Sequence, residues 1–558
     1  MALDARLTPR SLIAGFVLSL LLCAINSYLT LSFGVIEEGP TIAALFFFAF
    51  FFLSKVKITS TELVIVSTMG SAGGSLGFIS NFYAAKVMAT GVPYTFWEMA
   101  GFSTVTSLLG LAFVIPLRDL LILKDDLPWP GSKAVASVIG ALTNPAADKK
   151  QPIYLFTATA LFILFVVGNT DAGYGWWPDS TELGALAAVG GAIAWAPFAF
   201  GCGYLMGLRA CFGFLVGAIV LMIMAPHTPE PTVPSRYIWP GMGFLIASGL
   251  TSLALRWKVV ASALGSLMSM TKKSDDDDPI MSNKAFGILT LIAITATTLF
   301  SVLVLGLSVI IVVVLVLVGG LLQNIVATRA AAQAAFNPAR VMGVLLQGAC
   351  AAVGGTSAAV NLAGAGVVAG SGAQAGVLTG DLVYGRWLKV PSRWQFWAQM
   401  TTVIPCSLVA AWVFQGIMAT KKVALDGGNL SAPVAKMWAL TALIFDGQAP
   451  MPPFAVEAMV IGAVIGIVYV LIETALEKKP SMLRFLPHSI GIGLGLVLWV
   501  PLSLSFFLGG ILFVLVLGRG FKISELTLTT IAVACIVGEG IGGVMKPLLL
   551  MAGLMATP

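Results

Sequence analysis

The chain has 558 residues, of which 58% are apolar and only 10% are charged, with a net charge of +6 and a mean hydropathy of +0.97. A soluble domain carries about 25% charged residues and needs a polar outer shell, so this composition excludes a water-soluble protein. The apolar runs are too long for the ~10-residue alternating strands of a membrane barrel. Basic residues are spread over short loops, so nucleic-acid binding is not expected. The composition predicts an all-α polytopic protein of the lipid bilayer.

Apolar segments long enough to cross a bilayer follow one another along the chain. The first set of predicted spans is near residues 11–33, 38–54, 62–90, 97–117, 152–168, 184–206, 209–225 and 240–257. The second set is near residues 284–304, 305–322, 341–358, 359–380, 394–416, 455–474, 485–500, 502–518 and 527–552. The stretches 341–380 and 485–518 are each consistent with one broken helix or two short ones. The prediction is therefore about 16 or 17 transmembrane helices, some of them discontinuous.

Basic residues alternate between loops in the way that sets membrane orientation. Arg6 and Arg10 precede the first span, and Lys55 and Lys57 follow the second, whereas the alternate loops hold Glu37 and Glu38 and then Glu98. This pattern predicts a multi-pass protein of an inner or plasma membrane with a cytoplasmic N-terminus. With seventeen spans the C-terminus is expected on the external side.

Metal-binding and nucleotide-binding motifs are absent from the sequence. The six cysteines form no CxxC pair, and the two histidines, His227 and His488, form no HExxH motif. No phosphate-binding P-loop occurs either. We therefore expect no metal site, no cofactor and no energy supply from ATP.

Two glycine-rich segments suggest an internal repeat. The segment Gly70–Ser75 resembles Gly348–Ser357, at an offset of 348 − 70 = 278, close to half of the 558 residues. The pattern predicts two parallel eight-helix repeats over residues 1–258 and 284–518, a charged cytoplasmic linker at 259–283 and a C-terminal helix at 519–558. Parallel repeats of this kind are typical of transporters, with the substrate site near the repeat interface.

The glycine-rich run Gly354–Gly380 allows two interpretations. A helix with so many small residues can pack closely against its neighbours. Alternatively, its exposed backbone is a poor surface for lipid, which favours irregular or re-entrant backbone that lines a cavity. The second interpretation is preferred here.

Charged residues inside apolar segments are functional candidates, because a charge in the bilayer is costly. Glu539 is the first of these: its buried carboxyl group either exchanges a proton near neutral pH or makes a hydrogen bond that packs two helices together. Lys546 follows it by about two helical turns and lies on roughly the same face. Glu62 begins the third span, where it either functions in transport or caps the helix. Lys86 needs a partner, for which Glu98 is the candidate, or binds a substrate carboxylate.

Further candidates come from the second half of the chain. Arg340 could grip a substrate carboxylate, because the guanidinium fork suits one, and Glu457 is an acidic candidate whose role the sequence leaves open. Amide side chains could pair with a peptide backbone or form interhelical hydrogen bonds. Those selected as site candidates are Asn337, Asn361 and Gln374.

Several motifs, in order, resemble the oligopeptide transporter family, which includes the yellow stripe-like metal-chelate transporters. In the first half these are TELVIVSTMGSAGGSLGFISNFYAAKVMATG and PLRDLLILKDDLPWPGSKAVASVI. In the second half they are NPARVMGVLLQ, GIGLGLVLWVPLSLSFFLGGIL and GEGIGGVMKPLL. The chain is similar to bacterial or archaeal-type members over most of its length. The resemblance implies proton-coupled uptake of small peptides or of metals bound to peptide-like chelators.

The leading hypothesis is therefore a secondary active transporter, a proton symporter, and not an enzyme. The alternatives are a membrane-embedded hydrolase, for which no nucleophile with a paired base is found, and a channel, whose filter oligomeric symmetry would more readily build. The expected partners are a peptide or small-molecule substrate, protons and lipid. The substrate identity, the stoichiometry and the oligomeric state, including a homo-oligomer, stay open.

Overall fold

The structure is a computed structural model of the 558-residue chain. It describes residues 7–33, 40–53, 56–124, 127, 129–143, 150–169, 175–224, 238–255, 278–334, 339–355, 357–425, 430, 432–448, 454–477, 479–496 and 498–551. Residues 259–277 of the predicted linker at 259–283 lie outside the described part of the chain, which resumes at Asp278.

The chain divides into two compact units, each built from two segments. The first unit comprises Met1–Pro152 and Trp257–Ala449, and the second comprises Ile153–Arg256 and Pro450–Pro558. Each half of the chain thus contributes one segment to each unit.

The first segment of the first unit holds six α-helices, which are α1 (Pro9–Phe33), α2 (Pro40–Leu53), α3 (Ser60–Gly77), α4 (Ser80–Thr90), α5 (Phe96–Arg118) and α6 (Pro130–Thr143). A π-helical stretch, Asp119–Lys124, extends α5. The helices of the second segment are α11 (Asn283–Leu303), the single turn α12 (Val309–Ile311), α13 (Gly320–Ala334), α14 (Ala339–Ala352), α15 (Ala358–Trp387), α16 (Ser392–Thr420) and α17 (Pro433–Phe445). A π-helical stretch, Val312–Gly319, joins α12 to α13.

The second unit begins with α7 (Gln151–Gly168), α8 (Pro197–Met206), α9 (Leu208–Met224) and α10 (Ile238–Leu255). Its later helices are α18 (Ala455–Leu476), α19 (Pro480–Leu483), α20 (Ser489–Gly495), α21 (Val500–Ile511) and α22 (Glu525–Met551). Between α7 and α8, strands β1 (Ser180–Glu182) and β2 (Ala192–Ala194) pair antiparallel, with Ser180 opposite Ala194, around the 3-10 turn Gly184–Val189. A π-helical stretch, Leu512–Gly520, follows α21.

Polar side chains at the helix starts explain where several long helices begin. Thr59 and Glu62 form a capping box at the start of α3, and Thr95 and Glu98 form another at α5. Each box satisfies backbone N–H groups that the first helical turn leaves without partners.

The prediction of an all-α polytopic membrane protein is confirmed. Among the described residues, ten helical stretches are long and apolar enough to cross a membrane, and four further apolar helices are shorter. The number of spans, 16 or 17, stays a prediction.

The glycine-rich run is one regular helix, so the expectation of irregular or re-entrant backbone over Gly354–Gly380 is wrong from Ala358 onward. Helix α15 extends unbroken from Ala358 to Trp387, and nearly all of its side chains are buried. A Cβ atom at Gly366 would lie 2.2 Å from the Phe82 ring, so the glycine serves close helix packing.

Matching element lengths recur inside the first unit, at an offset larger than 278. Helices α2 and α14 both have 14 residues, at an offset of 339 − 40 = 299. The stretch α3–α4 begins 358 − 60 = 298 residues before α15. Contacts between α3 and α15 pair rising numbers on one helix with falling numbers on the other, so these two helices run antiparallel.

The 278-residue offset does appear in the second unit. A Cβ atom at Gly213 of α9 would touch Gly491 of α20, and one at Gly217 would touch Gly495. Both pairs are separated by 278 residues (491 − 213 and 495 − 217), and the two helices run parallel. The proposed repeat boundaries, 1–258 and 284–518, stay a prediction.

Candidate functional site

Helices α3 and α15 each carry a stripe of polar side chains inside the first unit. Residues three, four or seven positions apart share one helix face. All members of both stripes are at most 3% exposed. We call the two stripes together the polar seam, and its members are Thr68, Ser71 and Ser75 on α3 and Gln374, Asp381 and Tyr384 on α15.

The two stripes of the polar seam bond directly to each other. The Ser71 hydroxyl donates to the Asp381 carboxylate, and the Ser75 hydroxyl donates to Oε1 of Gln374. The hydroxyl oxygens of Thr68 and Tyr384 lie 3.2 Å apart in a third hydrogen bond. The seam therefore joins the helices at three levels.

A third helix closes the Asp381 end of the polar seam. Gln395 of α16 donates from Nε2 to the Thr68 hydroxyl at 2.9 Å and to the Asp381 backbone carbonyl at 2.8 Å. A Cβ atom at Gly385 would lie 1.9 Å from Oε1 of Gln395, so the amide group packs directly against the glycine. Small residues in the sequence thus determine where the polar groups meet.

Buried amide side chains around α15 retain unused hydrogen-bonding capacity. Each is at most 2% exposed and has at least one polar atom without a hydrogen-bond partner among the described residues. These side chains are Gln323 and Asn324 of α13, Gln347 of α14, Asn361 and Gln374 of α15, and Gln395 and Gln399 of α16. An unpaired buried polar group costs about 1–3 kcal/mol, so a concentration of them in one unit calls for a functional explanation.

Two of these amides lie beside the polar seam. The Ser371 hydroxyl, on the turn before Gln374, donates to Oδ1 of Asn324 at 3.3 Å. A Cβ atom at Gly372 would meet Gln323 and Asn324 at 3.2–3.3 Å. Amides carry both donors and acceptors, so this region can pair with the N–H and C=O groups of a peptide-like ligand.

Glu539, the first sequence candidate, is buried in α22 of the second unit, with 5% of its surface exposed. Its Oε2 accepts a 2.6 Å hydrogen bond from the backbone N–H of Phe198, the second residue of α8. The carboxyl group therefore satisfies a free N–H at a helix start, where the helix dipole favours a negative charge. Lys546 lies on the same helix, but its side chain is outside the described part of the chain.

Glu62 is fully buried and makes an ion pair as well as a cap. Nε of Arg10 lies 2.5 Å from Oε1, Nη2 lies 2.6 Å from Oε2, and the Thr8 hydroxyl donates to Oε1 at 2.7 Å. Oε2 also accepts the Thr59 N–H at 3.1 Å. These contacts support the capping alternative of the two that the sequence left open.

Lys86 interacts electrostatically with Glu98, the partner that the sequence suggests, and makes two further contacts. Its Nζ donates to the Thr90 hydroxyl at 3.2 Å and lies 5.5 Å from the centre of the Tyr94 ring. Glu98 also accepts the Thr95 N–H at 2.7 Å in the capping box of α5. A role of Lys86 in binding a substrate carboxylate stays a prediction.

The remaining candidates are not brought to the polar seam by any described contact. Glu457 is exposed in the first turn of α18. Arg340 lies in α14, and its side chain is outside the described residues, as is all of Asn337. Among the candidates, Gln374 lies in the seam and Asn361 is an unpaired buried amide of the same helix.

Asp381 was missed by the sequence interpretation. It is 3% exposed and is surrounded by Ser71, the phenol of Tyr384 and the neighbouring Gln395. The sequence feature that could have identified Asp381 is its position as a single acidic residue near the end of an apolar, glycine-rich segment. Among the described residues, no group of three or more His, Cys, Asp or Glu side chains could hold a metal ion.

Long apolar helices with buried polar residues inside them define a multi-pass membrane protein with an internal polar site. The chain belongs to the oligopeptide transporter family, since the family model "OPT oligopeptide transporter protein" matches residues 6–550. This confirms the resemblance found in the sequence motifs.

The chain is similar to transporters of two kinds. The putative oligopeptide transporter YGL114W of Saccharomyces cerevisiae is 20% identical over 702 residues, covering 97% of this chain and 96% of the relative. The probable metal-nicotianamine transporter YSL4 of Arabidopsis thaliana is 30% identical over 168 residues, which cover 25% of each protein. The likeness to the second protein is thus confined to a quarter of the chain.

Proposed function

We propose that this protein is a proton-coupled transporter that takes up oligopeptides or peptide-like metal chelates. The observation that carries the proposal is the group of buried amides around α15 with polar atoms that have no described partner. Family membership supports a transport function. The names of the relatives, an oligopeptide transporter and a metal-nicotianamine transporter, support these two substrate classes.

The chemistry of the amides supports recognition of an organic substrate. Amide groups on α13, α14, α15 and α16 offer donors and acceptors that match peptide bonds and carboxylates. For a metal chelate, the same groups would recognise the organic chelator and leave the metal ion with its own ligands. The charged candidates Lys86 and Arg340 are proposed to bind substrate carboxylates.

Proton coupling requires a side chain that gains and loses a proton during transport. We propose Glu539 for this role, because it is buried and bonded to the N–H of Phe198. Protonation would weaken a charge-assisted hydrogen bond between α22 and α8. Lys546, Glu62, Glu457 and Asn337 stay candidates for substrate or proton contacts.

Currents from proteoliposomes adsorbed to a solid support test the proposed function. An inward proton gradient is combined with di- to pentapeptides and, separately, with ferric and nickel chelates. Inward current with peptides alone establishes peptide symport, and current with chelates alone assigns metal-chelate uptake. No current with any substrate at any pH contradicts the proposal.

A variant of one seam-adjacent amide tests the binding site itself. Gln323→Met removes two unpaired polar atoms at nearly constant volume, so we expect a more stable protein with weaker substrate binding. The apparent KM should rise about two- to tenfold, which corresponds to one or two lost hydrogen bonds. Gln448→Met, at an exposed glutamine of the same unit, is the matched control. An unchanged KM in Gln323→Met contradicts a role in binding.

A further inference from the structure

We propose that Asp381 is a second proton-binding site, located at the polar seam, where its protonation changes the contact between α3 and α15. This inference rests on the proposed transport function. The inference places a proton site in the first unit, which also holds the buried amides with unpaired polar atoms.

The surroundings of Asp381 suit a side chain that alternates between charged and neutral forms. Hydroxyl groups of Ser71 and Tyr384 interact with the carboxylate, and the hydroxyl of Thr68 bonds to Tyr384. Hydroxyl groups can donate to a carboxylate or accept from a protonated carboxyl group by rotation alone. Nearby, Oε1 of Gln395 is buried without a hydrogen-bond partner among the described residues.

Described charged groups on the helices packed against α15 are exposed or have partners of their own. On α5, the buried Arg118 pairs with Asp119 and Asp278. On α3, Glu62 is paired with Arg10. On α15 and α16, Arg386 and Arg393 are exposed. Helix α6 approaches through Ser132, which donates to the Gly380 carbonyl, and its Lys133 is exposed. The hydroxyl groups of Ser71 and Tyr384 contact the carboxylate, and of these two Tyr384 is titratable.

The polar seam connects this carboxyl group to Gln374, an amide whose Nε2 has no described partner. Gln374 precedes Asp381 by seven residues, about two turns or 10 Å, on the same face of α15. Ser75 follows Ser71 by four residues, about one turn, on α3. Because Ser71 bonds to Asp381 and Ser75 bonds to Gln374, a shift of α3 along α15 changes both bonds together.

Protonation of Asp381 would favour such a shift of α3 along α15. A hydrogen bond to a carboxylate is stronger than one to a neutral carboxyl group, so a proton on Asp381 weakens the bond from Ser71. The Nε2 atom of Gln374 is buried without a described partner, so its exposure to substrate depends on the same helix contact. A proton and a substrate would therefore favour the same arrangement of α3 and α15.

Asp381→Asn tests the proposal, because asparagine keeps the size of the side chain and cannot carry the proton. We expect the variant to retain substrate exchange between equal pools on both sides of the membrane. Accumulation driven by a pH gradient should fall at least tenfold. Asp179→Asn, at an exposed residue of the second unit, is the matched control and should behave like the unchanged protein.

Two results separate this inference from the proposed function. If the unchanged protein transports no peptide or chelate, the proposed function fails. If the unchanged protein transports substrate and Asp381→Asn accumulates it with the same pH dependence, the proton site at Asp381 is refuted while the transport function stands.

Ser71→Ala keeps the proposal testable should Asp381→Asn not fold. The variant removes one hydrogen-bond donor from the carboxylate, so we expect the pH of half-maximal current to rise by about one pH unit. An unchanged pH profile contradicts the proposal. A lower total current with the same profile indicates a structural role for Ser71 and also contradicts it.

Discussion

The ion pair between Arg10 and Glu62 gives a prediction that separates stability from transport. Glu62→Gln removes the negative charge at the start of α3 but keeps a residue type that completes a capping box. The variant therefore loses the ion pair and leaves the cap in place. We expect it to unfold more readily and to transport normally per folded molecule.

The size of the effect follows from the burial of the two partners. Glu62 is fully buried, and Arg10 is 30% exposed. Breaking a buried ion pair by removing one partner costs about 3–5 kcal/mol, and partial exposure of Arg10 places this pair at the lower end. We therefore expect a loss of about 3 kcal/mol from the free energy of unfolding.

The chain offers a matched control at the other capping box. Glu98 caps α5 through Thr95 in the same way, but no ion pair is described for it. Glu98→Gln should thus change the free energy of unfolding by about 0.5 kcal/mol or less. Thermal or denaturant unfolding of the purified protein in detergent gives the comparison. Equal unfolding midpoints for Glu62→Gln and Glu98→Gln would refute the reasoning, and a lost pH-driven current in a well-folded Glu62→Gln would restore a role in transport.

Two further variants probe helix packing and coupling. Gly73→Ala places a Cβ atom 1.9 Å from the Ser19 carbonyl oxygen, so α1 and α3 must separate by about 1 Å. We expect the free energy of unfolding to fall by about 1–3 kcal/mol. The control is Gly287→Ala, which has open space around its Cβ and should not lower the unfolding midpoint. Glu539→Gln keeps an acceptor for the Phe198 N–H but cannot bind and release a proton, so we expect a folded protein whose uptake no longer follows the pH gradient. Full pH-driven uptake by this variant contradicts the prediction. The control is Glu182→Gln, at an exposed position.

The fold class was predictable because it depends on composition and on the length of apolar runs. Burial of Glu539 was also predictable, since a lone acid in a long apolar segment has no route to water. The start of α3 near Glu62 was predictable as well, because an acidic residue suits a helix N-terminus. These features are local in the sequence.

The polar seam was not predictable, because its pairs are separated by about 300 positions. Ser71 and Asp381 differ by 310 residues and Ser75 and Gln374 by 299. No periodicity within one segment shows which stripe faces which. The same limitation explains the error over α15: a glycine-rich run is unfavourable against lipid, but neighbouring helices enclose it, so a regular helix is stable there.

Small residues and hydroxyl groups together make the α3–α15 contact one that a proton can influence. Interlocking large side chains would hold two helices in a single arrangement, whereas glycine, alanine and serine leave few interlocking side chains to resist sliding. The hydroxyl pairs then hold the preferred arrangement, and interhelical hydrogen bonds within membranes contribute about 0.6 kcal/mol each on average. One pH unit of proton gradient is worth about 1.4 kcal/mol per proton, which exceeds the contribution of a single such bond. A carboxyl group placed at one of these bonds, as Asp381 is with Ser71, therefore gives a proton a direct effect on the contact.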